Sequence, residues 1–300
     1  MGLMPHIYLA ALLALIQAAP AGTPLGAVDG LLQADRDFAK WGVTIPAVDA
    51  ISSMFADDVM VPAPGNVLVH GKGKAIEALK ANPDNLTGRV EWAPIRGGIS
   101  ADGTHGFTFG YLTLTKADKS TMPLKYLAYW IKGPDGWRIA AYRRRPRPEG
   151  TVSTEMMRPS VPGAASLEPM PADASRVKAF GESLSAAEQA FSDEAQKIGI
   201  AAAFARNGSS DAVNMGGPKD VGFVLGSEAI GRSVGEGSPT DRSEVVWSAD
   251  RVLVAPSGDL GITFGMIRIL QPKAGQPAAV PFFTIWRRDS PSQPWRYIAE

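Results

Sequence analysis

The hydrophobic pattern of the chain follows two periods, one typical of helices and one typical of strands. Apolar residues recur at helical spacing early in both halves: Leu31, Phe38, Trp41 and Ile45 in the first, Leu184, Phe191 and Ile198 in the second. The segments Phe107 to Thr115 and Ile262 to Leu270 are instead apolar on both alternating faces. Strands of that kind are covered on both sides. The pattern therefore predicts helices at the start of each half and sheets without a solvated face.

One motif occurs twice at a fixed distance. Its matched pairs are Trp92 and Trp247, Arg96 and Arg251, Gly103 and Gly258, Gly106 and Gly261, and Phe109 and Phe264. The offset is constant, since 247 − 92 and 264 − 109 both equal 155. In each copy a turn containing glycine separates two apolar segments, which predicts a β-hairpin. A repeat of this length indicates two copies of one domain.

The same order of elements is predicted for both halves. Each half should contain two helices, a short strand pair, a third helix and a four-stranded antiparallel meander. We place the domains at 27–145 and 177–299. Between them, 146–174 is rich in Pro, Ser, Ala and Gly, which predicts an exposed linker with little regular structure. The doubly apolar strands predict that the two sheets pack back to back as an intrachain pseudo-dimer.

Several short motifs resemble SnoaL-like (DUF4440) domains of the superfamily of nuclear transport factor 2 (NTF2) and ketosteroid isomerase. They are the Gly-x-Ala-Ile segment ending at Ile76, the turn Ser257-Gly-Asp259, the strand motif Thr108-Phe-Gly110 and a closing Trp…Gly-Trp pattern. The resemblance implies an α+β fold of two NTF2-like cone domains, each a curved antiparallel sheet wrapped around helices. It also implies a pocket inside the mouth of the cone. The superfamily contains isomerases, cyclases, dehydratases and binding modules, so the resemblance implies no single function.

Length and composition limit the classes of function. A chain of 300 residues with 45% hydrophobic residues can form two ordinary cores. A net charge of +0 gives no reason to expect nucleic acid as a partner. Because the chain has no cysteine, disulfides, thiolate metal sites and cysteine nucleophiles are excluded. His70 and His105 do not form a metal-ligand spacing, so we expect no metal and no cofactor.

The amino terminus has the character of a signal peptide. Ile7 to Ile16 is apolar and too short to span a bilayer, and Ala19-Pro20-Ala21 supplies small residues for cleavage. The leading region lacks Lys and Arg, and a buried helix is the alternative interpretation. We expect 1–21 to be a signal peptide and the mature protein to be periplasmic or secreted, without a stable membrane anchor.

Two residues of the first domain are candidates for acid–base catalysis. His70 lies where a strand meets the start of a helix, near the positive end of the helix dipole, and could act there as an acid or a base. A surface or capping role is the alternative for His70. Asp58 lies where a helix leads into a strand and could be a base in the cone or a local turn carboxylate. The position of His70 is Leu225 in the second half, which restricts this chemistry to the first domain.

Five further residues are candidates for ligand binding: Trp41, Arg96, Tyr111, Tyr126 and Tyr129. Arg96 could hold an anionic ligand or be a solvated strand arginine stacked on a tryptophan. Tyr126 and Tyr129 lie on opposite faces of one strand, so only one of them can point into a pocket.

The sequence leaves two classes of function open. The first is a non-catalytic protein that binds a small, largely apolar molecule in a cone pocket. The alternative is an enzyme of the ketosteroid isomerase, cyclase or lyase type with an active site in the first domain only. The first class is favoured because no acid–base constellation occurs in both halves.

Overall fold

The computed structural model describes residues 23–162 and 173–300. The predicted signal peptide therefore lies outside the described residues, as do residues 163–172 of the predicted linker. Within the described residues, no helix is both long and apolar enough to cross a membrane.

The first unit contains four helices and six strands. The helices are α1 (Pro24–Gly42), α2 (Ala47–Ser52), α3 (Lys72–Lys80) and α4 (Asp84–Thr87). The strands are β1 (Phe55–Ala63), β2 (Val67–His70), β3 (Arg89–Ile99), β4 (His105–Thr115), β5 (Thr121–Gly133) and β6 (Gly136–Pro146). They form one sheet in the order β2-β1-β6-β5-β4-β3.

The second unit repeats this arrangement with one fewer described helix. Its helices are α5 (Ala174–Ile198), α6 (Ile200–Asn207) and α7 (Ser227–Val234). Its strands are β7 (Gly208–Asn214), β8 (Val224–Leu225), β9 (Val245–Val254), β10 (Leu260–Ile269), β11 (Ala279–Arg287) and β12 (Arg296–Ala299). The order β8-β7-β12-β11-β10-β9 is the same as in the first unit. The predicted α+β fold with two repeated units is confirmed.

Each sheet is mixed, which corrects the prediction of antiparallel sheets. The four strands of each meander are antiparallel, but β1 pairs with β6 and β7 pairs with β12 in parallel. The reason is topological. A helical connection separates each short hairpin from its meander, and the last meander strand returns beside the first strand in the same direction.

Two glycines of the repeated motif are required by the bends of the sheets. Gly110 and Gly265 lie beside β-bulges, where the pairing register of β3 with β4 and of β9 with β10 shifts. A Cβ atom on Gly110 would lie 2.0 Å from the carbonyl oxygen of Ala93, and one on Gly265 would lie 2.1 Å from that of Ser248. The Thr-Phe-Gly motif therefore recurs because backbone approaches backbone at the bulge.

Each sheet packs its inner face against helices and its outer face against the other sheet. The inner core of the first unit contains Leu31, Ile51, Trp92 and Trp130, and that of the second contains Leu184, Phe191, Trp247 and Trp286. A third apolar cluster joins the two outer faces through Phe107, Phe109, Tyr129, Ile262, Phe264 and Phe283. The back-to-back arrangement predicted from the doubly apolar strands is present.

The connection after β6 is less exposed than its composition predicted. From 147 to 162 it contains no helix or strand, but its last part pairs with β3. Met157 donates its amide proton to Ile95 over 2.7 Å, and Ser160 donates to Gly97 over 3.0 Å. Ser160 is buried, and its hydroxyl accepts a hydrogen bond from Arg287 Nε of the second unit. The expectation of a purely surface linker is wrong for this part because β3 offers an edge with free carbonyl groups.

Candidate functional site

The two predicted catalytic residues face outward. Asp58 is exposed on β1, and His70 is exposed at the end of β2. His70 lines an open groove between the units, together with Asp250 and Arg251. Asp58 is not among the described residues that line this groove. The structure therefore does not bring the two side chains into one site.

Three of the predicted ligand-binding residues lie between the two units. Arg96 is buried, donates to the carbonyl oxygens of Arg158 and Asp211, and forms an ion pair with the Asp211 carboxylate. Tyr129 is buried in the apolar cluster between the sheets, where its hydroxyl lies 2.8 Å from Nδ1 of His105. Tyr111 packs against Phe223 of the second unit, with 5.3 Å between ring centroids. Their present contacts hold the units together.

The remaining two residues lie on the helical side of the first sheet. Trp41 is 50% exposed and lines an open groove with Phe38 and Trp137. Tyr126 is buried inside the first unit, where its hydroxyl donates a hydrogen bond of 2.9 Å to Asp35.

The residues that sequence reasoning missed are two carboxylates buried inside the units. Asp35 on α1 accepts hydrogen bonds from Trp92 Nε1 over 2.7 Å and from Tyr126. Glu188 on α5 accepts from Trp247 Nε1 over 2.7 Å and from Trp286 Nε1 over 3.0 Å, and also from Thr263. Both carboxylates are 0% exposed. Burial raises the pKa of Asp35 and of Glu188 above their ordinary values, while the hydrogen bonds that they accept act in the opposite direction.

A signal for these carboxylates is present in the helical pattern. Asp35 lies between Leu31 and Phe38 on the buried face of its helix, and Glu188 lies between Leu184 and Phe191. The repeat offset is the same for carboxylates and neighbours, because 188 − 35 and 191 − 38 both equal 153. A carboxylate in an apolar helical stripe, repeated in both halves, predicts a buried hydrogen-bonded site.

The space around Asp35 is closed. The gap between these side chains is too small for a water molecule, since the volume open to one is about 0 Å³. The gap is bounded by Asp35, Trp92, Tyr126 and Trp130. Both carboxylate oxygens of Asp35 already accept hydrogen bonds. This cluster therefore fixes α1 to the sheet, and a substrate has no access to it in this conformation.

A cleft of the first unit lies nearby, at the end of β6. It has a volume of about 550 Å³ and is bounded by the β1–β2 hairpin, by α3 and α4, and by the end of β6. Its apolar lining includes Val61, Ala63, Ala75, Ala78 and Leu79. Val280 and Pro281 of the second unit complete one wall. A volume of this size is typical of sites for small molecules.

The polar part of this cleft contains unused hydrogen-bond donors. Tyr142 and Arg144 line the cleft from β6, and Asn85 lines it from α4. Arg144 Nη2 donates to Asn85 Oδ1 over 2.8 Å, and Asn85 Nδ2 donates to the carbonyl oxygen of Leu79 over 2.5 Å. Among the described residues, Arg144 Nη1 and Tyr142 Oη are buried without a hydrogen-bond partner. Such atoms are uncommon in folded proteins and call for an explanation.

The electrostatics of the cleft are positive. Arg143, Arg144 and Arg145 are among its lining residues, and none of the described lining residues is Asp, Glu or His. The pKa of Arg143 is lowered to about 10, chiefly by burial and in smaller part by the positive charge of Arg145. Burial also raises the pKa of Tyr142 to about 12, so its hydroxyl remains a proton donor at neutral pH. The cleft thus combines an apolar wall with donors and positive charge at one end.

Comparisons with known proteins find solved structures that are similar to parts of this chain, but no protein family and no curated protein that matches its sequence. An NTF2-like protein from Shewanella oneidensis matches with 17% identity and a TM-score of 0.30, covering 40% of this chain and 98% of its own. A ketosteroid isomerase-like protein from Erwinia carotovora atroseptica matches with 16% identity and a TM-score of 0.27, covering 41% of this chain and 92% of its own.

A third match has the same extent. It is an NTF2-like protein with a cystatin-like fold from Novosphingobium aromaticivorans, with 12% identity, a TM-score of 0.29 and coverage of 39% of this chain and 79% of its own. Each of these three neighbours covers about 40% of this chain. The strand order and packing define a protein of two tandem α+β units joined back to back. Matches of this low identity and TM-score carry no information about function.

Proposed function

We propose that the protein binds a small, largely apolar molecule in the cleft of the first unit and does not convert it. The observation that carries this proposal is the cleft of about 550 Å³ with its wall of small apolar residues. It is partly open to solvent, whereas the interior around Asp35 has no room for a ligand. Binding without catalysis needs a shaped apolar space and a few polar anchors, and the cleft provides both.

The lining of the cleft argues against acid–base catalysis there. General acid–base catalysis needs a group that accepts or donates a proton within hydrogen-bond reach of the substrate. None of the described lining residues is a carboxylate or a histidine. The buried carboxylate of Asp35 already accepts hydrogen bonds at both oxygens. The alternative, an enzyme of the ketosteroid isomerase type, therefore has weaker support than binding.

The proposal is tested by blocking the cleft. Ala78 is half-buried on α3 and lines the cleft, so Ala78→Trp fills part of its volume. Ala202 is exposed on α6 of the second unit, and Ala202→Trp is the matched control. We expect native mass spectrometry to detect a retained small molecule on the wild type and on the control variant but not on Ala78→Trp. Equal retention by both variants would place the ligand elsewhere.

We also propose that the protein is exported with removal of residues 1–21. The support is the apolar segment Ile7 to Ile16 followed by small residues. The test is the intact mass of the protein expressed from its full sequence in a bacterial host. A mass that retains the first 21 residues, in a cytoplasmic fraction, would contradict this proposal.

A further inference from the structure

We infer that the ligand of the cleft carries a carboxylate group, which is bound by Arg144 and Tyr142. This inference rests on the proposed binding function of the same cleft and specifies the chemical class of the ligand. It follows from three independent features of the cleft: two unused donors, their common direction and the absence of acidic residues from the lining.

The first feature is the pair of unused donors. Arg144 is tied to Asn85 through Nη2, so the guanidinium is oriented while its Nη1 group has no acceptor among the described residues. Tyr142 is 3% exposed, and its hydroxyl has no partner there. A buried donor without an acceptor is costly, and the cost is removed when a ligand supplies the acceptor. A carboxylate supplies two oxygens for two donors.

The second feature is the direction of the two side chains. Tyr142 and Arg144 are two residues apart on β6, so they project from the same face of the sheet. Their Cα atoms are roughly 7 Å apart along the strand, a distance that their long side chains can bridge. The Tyr142 pKa is lowered by the charge of Arg144, in opposition to the larger effect of burial, which agrees with their proximity.

The third feature is the charge of the lining. An acidic side chain in the cleft would neutralise Arg144 and repel an anion, and none of the described lining residues is acidic. The apolar wall formed by Val61, Ala75 and Leu79 continues from these donors. The cleft therefore fits a molecule with an acidic head and an apolar body. Arginine forms its strongest hydrogen bonds with such anionic acceptors.

The test compares three probes that share an eight-carbon chain: octanoate, octanamide and octyl phosphate. Isothermal titration calorimetry at neutral pH measures the dissociation constant of each with the full chain. We expect octanoate to bind the wild type about tenfold more tightly than the neutral octanamide, the gain typical of a charge-assisted hydrogen bond. Octyl phosphate tests the other common anionic head. Tighter binding of octyl phosphate than of octanoate would overturn the carboxylate assignment.

Variants of the two donor residues test whether they cause the tighter binding of octanoate than of octanamide. Tyr142→Phe removes only the unpaired hydroxyl, and Arg144→Gln removes the guanidinium. Both should weaken the binding of octanoate more than that of octanamide, so that the preference for octanoate falls, because the neutral amide offers these donors a weaker acceptor. Arg89 is exposed on β3 and does not line the cleft, so Arg89→Gln is the control with the same loss of charge. Thermal unfolding of each variant verifies that it is folded. If Arg144→Gln does not fold, the result for Tyr142→Phe alone decides the test.

The outcomes separate this inference from the proposed function. Equal affinity of the wild type for octanoate and octanamide would overturn the inference and leave binding of an apolar molecule standing. A preference for octanoate that survives both Tyr142→Phe and Arg144→Gln would overturn the assigned residues. If octanoate binds Ala78→Trp as tightly as it binds the wild type, the cleft is not the binding site and both proposals fail. Both also fail if none of the three probes binds the wild type.

Discussion

At the scale of single residues, a buried carboxylate has the same role in each of the two units. Asp35 and Glu188 occupy equivalent positions, and each accepts hydrogen bonds from two aromatic side chains. Such fully bonded groups hold a helix at one position over a sheet, because shifting the helix would leave several donors unpaired. Their repetition shows that both units use the same device to fix their first helix.

The variant Asp35→Asn tests this role. In the variant the amide nitrogen must face either Trp92 or Tyr126, both of which donate to Asp35 in the wild type. We expect the free energy of unfolding in urea to fall by about 1–3 kcal/mol, the cost of a buried polar group without a partner. Asp37→Asn, on the exposed side of the same helix, should change it by less than about 0.5 kcal/mol. Equal effects of the two variants would contradict this role.

His105 makes the stability depend on pH. Burial lowers its pKa from 6.5 to about 4, and the nearby Asp102 carboxylate only partly offsets this. Between these two values the unfolded chain binds a proton that the folded protein does not bind. The contribution of His105 to the free energy of unfolding therefore falls as the pH falls from about 6.5 to about 4, by at most about 3 kcal/mol.

The measurement compares the wild type with His105→Gln. Urea unfolding is followed at pH 7 and at pH 4 for both proteins. The wild type should lose more stability between these values than the variant, because the variant has no imidazole to protonate. The difference between the two losses isolates His105 from the carboxylates that titrate in the same range. An equal loss in both proteins would show that His105 does not contribute.

The site was less accessible to sequence reasoning than the fold. Position next to a turn or a helix terminus drew attention to Asp58 and His70, yet both side chains face outward. Asp35 carried a readable signal, because a carboxylate stands in an apolar stripe. The sequence around Arg144 carried no signal that its guanidinium has an unpaired donor. Its importance depends on a missing acceptor, which only the packing of β6 against α4 reveals.

At the scale of elements, the β-bulges beside Gly110 and Gly265 shape the two sheets. Both glycines are covered by the backbone of a neighbouring strand. The bulge places an extra residue opposite the glycine, so the strand bends and the sheet can curve around its helices. The sequence signal for this bend is the glycine of the repeated Thr-Phe-Gly motif.

Gly265→Ala should destabilise the protein. The added methyl group would lie 2.1 Å from the carbonyl oxygen of Ser248, so a strand must shift to admit it. We expect a loss of about 1–3 kcal/mol in the free energy of unfolding, as for other overpacked positions. Gly30→Ala is the control, since no atom lies within 4 Å of its added Cβ in helix α1. That variant should gain up to about 1 kcal/mol from helix propensity, and a loss in both variants would contradict the steric argument.

The elements themselves were largely predictable because, among the described residues, all of them except α4 occur in both units. Matching Trp92 with Trp247 and Phe109 with Phe264 aligned the hairpins and gave the order of strands in both units. The parallel pairing of β1 with β6 was not predictable, because it joins strands far apart in sequence. The burial of Ser160 was hidden for a similar reason. It depends on Arg287 of the other unit.

At the scale of the whole molecule, polar contacts orient the apolar interface between the two sheets. Arg287 donates to Ser160 and Ile99 and forms an ion pair of 3.3 Å with Asp259. Asp259 also accepts a hydrogen bond from the amide of Ala101, and Asp102 accepts one from the amide of Ser257. Apolar contacts alone would tolerate several orientations of the sheets. The buried polar contacts allow few, because any other orientation deprives buried charged groups of hydrogen-bond partners on the other unit.

Because the two sheets belong to one chain, their association is a step within a single molecule and not a reaction between two molecules. A dimer of separate units dissociates on dilution, and each tenfold dilution lowers its stability by about 1.4 kcal/mol. In this chain the same type of interface forms within one molecule, at an effective concentration set by the connecting segment. The midpoint of thermal unfolding should therefore be the same over a hundredfold range of protein concentration. A midpoint that rises with concentration would show that association between chains contributes to stability. A constant midpoint means that the two sheets stay together at any dilution.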